Sequence, residues 1–220
     1  MPVRTTIVIR PPAAVGADYD KPMGSDSSEL IRGVKYVFLD RDGVINRKPP
    51  EGHIVRRWEE FEILPGVEQA IARLHAAGLK VIIVTNQRGI ALGQISELDL
   101  GEIHSRLIEH IAAREGAIDA IYYCPHDRDE CECRKPGVGM FERALSEFPG
   151  ARAENSLMIG DSVSDIEAGV RLGMKTIFIQ GDPARQKPGA ERAQKLATFI
   201  SNSLNEAVAH HLDLSSTRCQ

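Results

Sequence analysis

The chain has 220 residues and a mass of 24.2 kDa, with 42% hydrophobic and 26% charged residues. This composition is typical of one soluble globular domain, and it excludes a disordered chain. The formal net charge of −4 argues against nucleic-acid binding, and the longest apolar runs are far too short to span a bilayer.

The first part of the chain has a different character from the rest. Residues 1–33 are rich in Pro, Gly, Ser and Asp, so we expect a mobile N-terminal extension, followed by one domain over residues 34–212 and a tail at residues 213–220. The first ten residues lack the apolar length and the cleavage site of a signal peptide. We therefore expect a cytoplasmic protein that is a monomer and has no membrane or nucleic-acid partner.

Strands alternate with helices from Tyr36 onward. An apolar run from Tyr36 to Leu39 predicts a buried strand, and the change to Asp-Arg-Asp-Gly marks its carboxyl end. A long polar connection over residues 46–64 follows, and it is locally basic, which suits an anionic substrate or a solvated surface. Pro65 and Gly66 then begin a helix that ends at Gly78.

The later elements continue the same alternation. They are, in chain order, a strand within residues 80–89, a helix opened by Ser96, a strand within 118–125, a helix at about 140–148, a strand, turn and helix within 156–169, a strand within 175–181, and a helical region at 189–211 with an interruption near 196–200. The helix opened by Ser96 has a predicted buried stripe of Leu98, Ile103, Leu107 and Ile111. This pattern predicts an α/β fold with a doubly wound parallel sheet.

Polar side chains follow several of these strands directly. Asp40 and Asp42 come after the first strand, Thr85 after the second, and Asp161 after a later one. Parallel strands bring such residues to one edge of the sheet. Carboxylates gathered there repel one another unless a divalent cation lies among them, and Mg²⁺ prefers oxygen ligands. With a lysine, Lys135, reaching this edge from a loop, the set predicts phosphoryl transfer.

A loop after the third strand carries three of the four cysteines. Three thiolates and one imidazole suit tetrahedral zinc, and the predicted ligands are Cys124, His126, Cys131 and Cys133. The zinc would be structural and would hold Arg134 and Lys135 at the active edge. The alternative is a set of unliganded thiols in a surface loop. Cys219 is left over in the tail.

Four ordered motifs together resemble the haloacid dehalogenase superfamily of phosphatases. They are DRDGV at 40–44, Thr85, Lys135 and GDSVSD at 160–165. The resemblance implies that Asp40 is the nucleophile and that Asp42 protonates the leaving group and then activates water. It also implies Mg²⁺ held by Asp40, the backbone carbonyl of Asp42, and Asp161. Asp165 would support the site or cap a helix.

Many members of that superfamily carry an inserted lid domain, and this sequence has little room for one. Only about 40 residues separate Asp42 from Thr85, so we expect a capless enzyme. Its substrate would be recognised by residues 46–64, 86–93 and the cysteine loop. The candidate substrate-binding residues are Asn86, Gln87, Arg88 and Arg134.

Longer segments within residues of about 35–212 resemble one branch of that superfamily. YYCPH, CECRKPGVGM, TNQRGIALG and DRDGVIN are similar to the heptose-bisphosphate phosphatase branch, which implies removal of the 7-phosphate of a phosphorylated sugar in nucleotide-activated heptose biosynthesis. Two positions differ from the family pattern: Arg88 stands where the family usually has Ser, and Ser162 stands where many members have Lys. The histidinol phosphatases share the zinc loop and remain an alternative. A non-catalytic zinc-containing binding module is a third.

Overall fold

The computed structural model describes residues 31–50, 52–186, 188–212 and 214. Most of the predicted N-terminal extension and of the predicted tail therefore lies outside the described residues. Ile31, near the end of that extension, is buried, and its N–H donates to the backbone oxygen of His211 at 2.7 Å. Across the part of the chain that is described, no helix is both long enough and apolar enough to cross a membrane.

The described residues form a six-stranded sheet in which all neighbouring strands are parallel. Its strands are β1 (Tyr36–Leu39), β2 (Lys80–Asn86), β3 (Ala120–Cys124), β4 (Ser156–Gly160), β5 (Lys175–Ile179) and β6 (Phe199–Ser201). They lie in the order β3-β2-β1-β4-β5-β6. The chain winds outward from β1 on one side and from β4 on the other, so the switch point, where open α/β sheets bind ligands, lies between these two strands.

Helices cover both faces of this sheet, which confirms the predicted doubly wound fold. They are α1 (Val67–Ala76), α2 (Glu97–Ala112), α3 (Gly139–Glu147), α4 (Val163–Leu172), α5 (Ala190–Leu196) and α6 (Leu204–His211). Successive side chains of a strand point to opposite faces. Val37 and Leu39 accordingly pack in one cluster with α1, α2 and α6, whereas Tyr36 and Phe38 pack with α3 and α4.

The predicted buried stripe of α2 was wrong at its first position. Leu98 is 83% exposed, and the buried face begins instead at Leu100 and includes His104 and Ile108. Ser96 caps the helix in a capping box with Asp99, which sets where the first turn begins. Leu98 then lies roughly 200° around the helix axis from Leu100 and faces solvent.

The interruption predicted near residues 196–200 is a strand. Phe199–Ser201 forms β6, which pairs with β5 at the edge of the sheet and separates α5 from α6. A three-residue edge strand is too short to show a clear alternating pattern, so the sequence indicated a break and not its cause.

As predicted for a capless chain, the connection between Asp42 and Thr85 contains no inserted domain in its described residues. Before β2, the described part of this connection holds a short 3-10 helix at Trp58–Glu60 and the helix α1. The carboxyl edge of the sheet is therefore bordered by loops.

The corrected face of α2 can be tested with two matched substitutions. We expect Leu100→Ala to lower the free energy of unfolding by about 2–5 kcal/mol, because it leaves a cavity in the core. We expect Leu98→Ala to change it by less than about 0.5 kcal/mol, because an exposed side chain loses little. Denaturant unfolding of both variants measures this, and equal destabilisation would contradict the observed helix rotation.

Candidate active site

A tight turn joins β1 to the rest of the site. The Asp40 N–H donates to the Ile159 oxygen of β4 at 3.0 Å, and the Arg41 oxygen accepts from Ile45 at 2.9 Å. Gly43 has a φ of +105°, and a Cβ at this position would overlap the carboxylate of Asp161. Glycine is needed here because it allows both the backbone conformation and the close approach of the β1 and β4 turns.

Three buried carboxylates meet where these turns converge. Asp40, Asp161 and Asp165 each place an oxygen within 4.8 Å of the others. Lys135 Nζ lies 2.8 Å from Asp40 Oδ1 and 2.6 Å from Asp165 Oδ1. Lys48, from the basic connection, forms an ion pair with Asp161. The group therefore contains three acids and two lysines.

Lys135 is held as a cation by this arrangement. Burial alone would lower its pKa, but the charges of Asp165 and Asp40 and their hydrogen bonds outweigh burial and raise the pKa of Lys135 above its usual value. Its Nζ also donates to the Val84 oxygen at 2.7 Å. The lysine is thus charged and fixed in position.

The acidic group has the chemistry of a divalent cation site. Carboxylate oxygens are the ligands that Mg²⁺ prefers, and Asp40 and Asp161 belong to the predicted ligand set. Asp165 is part of the same group, but its Oδ2 accepts from Ser162 N at 3.0 Å and Ser162 Oγ at 2.6 Å while Oδ1 faces Lys135. This placement fits a supporting role for Asp165.

Asp42 has a separate environment. Its carboxylate accepts from Arg41 Nη2 at 3.1 and 3.0 Å, from Asn46 Nδ2 at 2.9 Å and from Gln87 Nε2 at 3.0 Å. Burial acts to raise the pKa of Asp42, but the Arg41 charge and these hydrogen bonds together hold it below its usual value. Gln87 Nε2 also lies 3.0 Å from Thr85 Oγ1, so Gln87 connects Asp42 to Thr85.

The predicted substrate-binding residues occupy different places. Asn86 forms two 3.1 Å hydrogen bonds with the backbone of Lys135, Gln87 faces Asp42, and Arg88 forms an ion pair with Asp127. Arg134 borders a concave surface beside Lys135, and its buried Nη1 has no hydrogen-bond partner among the described residues. Of the four side chains, Arg134 is therefore the one best placed to receive an anion.

Sequence reasoning missed three residues that contact the site acids or their partners. Arg41 is 1% exposed and contacts Asp42, His104 on α2 contacts Arg41, and Lys48 contacts Asp161. An arginine between two site acids was a usable signal for Arg41. His104 was missed because the predicted buried stripe of α2 did not include it.

The four predicted zinc ligands cluster in space. The Cys131 Sγ lies 3.5 Å from Cys124 Sγ and 3.2 Å from Cys133 Sγ, and His126 Nδ1 lies 3.7 Å and 3.3 Å from Cys124 Sγ and Cys133 Sγ. With Zn–S bonds of 2.3 Å, tetrahedral ligand atoms are about 3.7 Å apart. Hydrogen bonding between Cys124 and Cys133 lowers the pKa of Cys124 and raises that of Cys133, which favours one thiolate in this pair. The cluster fits a tetrahedral metal ion.

This cysteine loop is tied to the loop after β2. The Gln87 N–H donates to the Cys124 oxygen at 2.8 Å, and the Ala91 N–H donates to the Pro125 oxygen at 3.1 Å. The Arg88–Asp127 ion pair joins the same two segments. Order in the cysteine loop is therefore coupled to the position of the residues that border Asp42 and Lys135.

Comparison with known proteins defines the class. The family model of haloacid dehalogenase-like hydrolases matches residues 9–173, and the chain belongs to this family of hydrolases. Similar proteins include the D-glycero-alpha-D-manno-heptose-1,7-bisphosphate 7-phosphatase of Mycobacterium tuberculosis, which is 42% identical over 132 residues that cover 60% of this chain and 69% of that protein. The D-glycero-beta-D-manno-heptose-1,7-bisphosphate 7-phosphatase of Vibrio cholerae is 36% identical over 184 residues, covering 80% of this chain and 95% of that protein.

A solved structure agrees with these relatives. The D,D-heptose 1,7-bisphosphate phosphatase of B. bronchiseptica, complexed with magnesium and phosphate, superposes with a TM-score of 0.70 and 30% sequence identity. The match covers 80% of this chain and 97% of that one. The similarity therefore extends over nearly the whole of that enzyme.

The metal content of the cysteine loop gives a direct test. We expect the purified protein to contain about one zinc per chain, because the four ligand atoms already lie at near-tetrahedral spacing. We expect Cys131→Ser to lower both zinc content and activity, whereas Cys219→Ser, outside the motif, lowers neither. Elemental analysis with parallel assays measures this. Fully active protein without zinc would contradict it.

Proposed function

We propose that this protein is a Mg²⁺-dependent phosphatase that removes the 7-phosphate of D-glycero-D-manno-heptose 1,7-bisphosphate. The observation that carries the proposal is the buried group of Asp40, Asp161, Asp165 and Lys135 at the sheet switch point. Its support is the set of relatives named for this reaction, which share the family and most of the chain.

Asp40 is the proposed nucleophile. Its carboxylate oxygen attacks phosphorus, a new O–P bond forms, and the bond from phosphorus to the sugar oxygen breaks with the electron pair leaving on that oxygen. Lys135 lies against Asp40 Oδ1, where it orients the carboxylate and balances its charge. Asp40 and Asp161 would hold Mg²⁺, which would supply positive charge to neutralise the phosphoryl oxygens.

Asp42 is the proposed proton carrier. A phosphoryl dianion entering beside Asp42 raises its pKa, because like charge disfavours ionisation, and Asp42 can then donate a proton to the leaving sugar oxygen. In the second half of the reaction the Asp42 carboxylate takes a proton from water, which attacks the aspartyl-phosphate and releases inorganic phosphate. The three donors that contact Asp42 favour the ionised form needed for that step.

The second phosphate of the substrate needs a separate cation. Arg134 lies beside Lys135 and carries a buried guanidinium nitrogen without a partner among described residues, which supports its role as an anion clamp. Arg57 is 71% exposed and forms an ion pair with Glu60, so it is a weaker candidate. Lys48 is the residue of the basic connection that reaches the site acids.

The histidinol-phosphatase alternative receives no support from the relatives described above. Its substrate carries a cationic amine, which Arg134 would repel, and it lacks the second phosphate that Arg134 would bind. A monomeric state and a cytoplasmic location stay predictions.

Removal of the nucleophile tests the covalent mechanism. We expect Asp40→Asn to lower kcat by at least on the order of a thousandfold, since unassisted hydrolysis of phosphate monoesters is extremely slow. Asp182→Asn, an exposed aspartate outside the acidic group, is the matched control and should keep wild-type activity. Phosphate release with Mg²⁺ measures both, and near-normal turnover by Asp40→Asn would exclude an aspartyl-phosphate.

Substrate preference tests the role of the second phosphate. We expect kcat/KM for heptose 1,7-bisphosphate to exceed that for histidinol phosphate by at least about tenfold, or roughly 1.4 kcal/mol, because a remote anion can orient the reacting phosphate. Arg134→Ala should lower kcat/KM for the bisphosphate more than for a simple monophosphate. Arg143→Ala, whose guanidinium pairs with Glu147 on α3, should leave this ratio unchanged.

Both anomers of the heptose substrate belong in this assay, since the relatives are named for both. A preference for histidinol phosphate would replace the proposed substrate with the alternative. Equal losses on bisphosphate and monophosphate in Arg134→Ala would remove Arg134 from recognition of the second phosphate.

A further inference from the structure

Arg41, which lies between Asp40 and Asp42 in the sequence, is buried and contacts both the site and the helix α2. Arg41 is 1% exposed, and its Nη2 donates to both oxygens of Asp42 at 3.1 and 3.0 Å. Its Nη1 lies 3.1 Å from Nε2 of His104 on α2. The Phe61 ring covers the guanidinium at 5.6 Å from the ring centroid. The described contacts thus form a chain from His104 through Arg41 to Asp42.

The chemistry of the guanidinium determines the direction of the first contact. A guanidinium has five N–H donors and no acceptor, so His104 Nε2 must be the acceptor. The imidazole is therefore neutral and carries its proton on Nδ1. Burial, together with the charge of Arg41, holds the pKa of His104 well below its usual value, in agreement with a neutral ring.

His104 is itself firmly placed. It is 1% exposed on the buried face of α2, between Leu100 and Leu107, and its ring packs 6.0 Å from the ring of Tyr123 on β3. A flexible arginine side chain loses rotational freedom when it is held at two ends. With one end bound by His104 and its face covered by Phe61, the guanidinium has one direction in which to present Nη2.

We propose that His104 is a positioning residue for the reaction, which accepts a hydrogen bond from Arg41 and thereby aims the guanidinium at the carboxylate of Asp42. The inference rests on the proposed role of Asp42 in proton transfer. Asn46 and Gln87 bind one Asp42 oxygen each, while Arg41 is the partner that contacts both. Loss of the His104 contact would remove the partner of Nη1 and weaken the restraint that the guanidinium places on the orientation of Asp42.

Paired substitutions at His104 separate positioning from packing. His104→Leu fills similar space without an acceptor, whereas His104→Gln supplies an amide oxygen that can accept from Arg41. We expect His104→Leu to lower kcat by about tenfold or more with KM changed less than about threefold, because small misplacements of a reacting group are costly. We expect His104→Gln to restore kcat to within about threefold of wild type.

The control is another histidine on the same helix. His110 is half-buried and pairs with Glu68, away from Asp42, so His110→Leu should leave kcat unchanged. Thermal unfolding of every variant is measured, and kinetics are taken well below the lowest midpoint. Equal losses of kcat in His104→Leu and His104→Gln, or an unchanged kcat in His104→Leu, would overturn the proposal.

A generic phosphoester serves as the substrate for this comparison, so a failure with heptose bisphosphate would refute the proposed substrate without bearing on His104. Nitrogen-15 NMR of the histidine side chains adds a readout independent of turnover. We expect the unprotonated nitrogen of His104 to be Nε2 in the wild type. A proton on Nε2 would overturn the proposal even if the enzyme hydrolysed neither ester.

Discussion

The placement of one buried ammonium group between two carboxylates organises the rest of the site. Lys135 Nζ contacts both Asp40 and Asp165, and a buried charge without such compensation would cost several kcal/mol. Through these contacts the loop before α3, the turn after β1 and the first turn of α4 are held in one arrangement. Removing the ammonium of Lys135 would leave two buried carboxylates close together, and these would repel one another.

Because Lys135 comes from an irregular loop, other contacts must hold its backbone. Asn86 at the end of β2 binds both the N–H and the oxygen of Lys135, and the Cys/His cluster closes the loop just before it. The end of β2 and the Cys/His cluster thus fix the backbone position of Lys135, which lies outside any helix or strand. Cys133 lies two residues before Lys135, so order in the cluster restrains the loop that carries this lysine.

The two acids of the β1 turn illustrate how environment separates roles. Asp40 faces an ammonium that also contacts Asp165, whereas Asp42 faces a guanidinium and two side-chain amides. Residues 40 and 42 would share one face of a regular strand, so it is the turn after β1, which ends at Leu39, that gives the two side chains different surroundings. Neighbouring carboxylates therefore receive different partners, which suits a nucleophile and a proton carrier.

The sequence by itself determined the alternation of strands and helices, the parallel sheet and the polar strand ends, because periodicity and turn chemistry are local. It also placed Asp40, Asp161 and Lys135 in one predicted site and the four metal-fitting ligands in one loop. Only the tertiary structure decided that Leu98 faces solvent, that β6 pairs at the edge, and which cation meets which acid. The contacts of Lys48 with Asp161 and of His104 with Arg41 depend on helix rotation and on residues 113 and 63 positions apart, which no local pattern specifies.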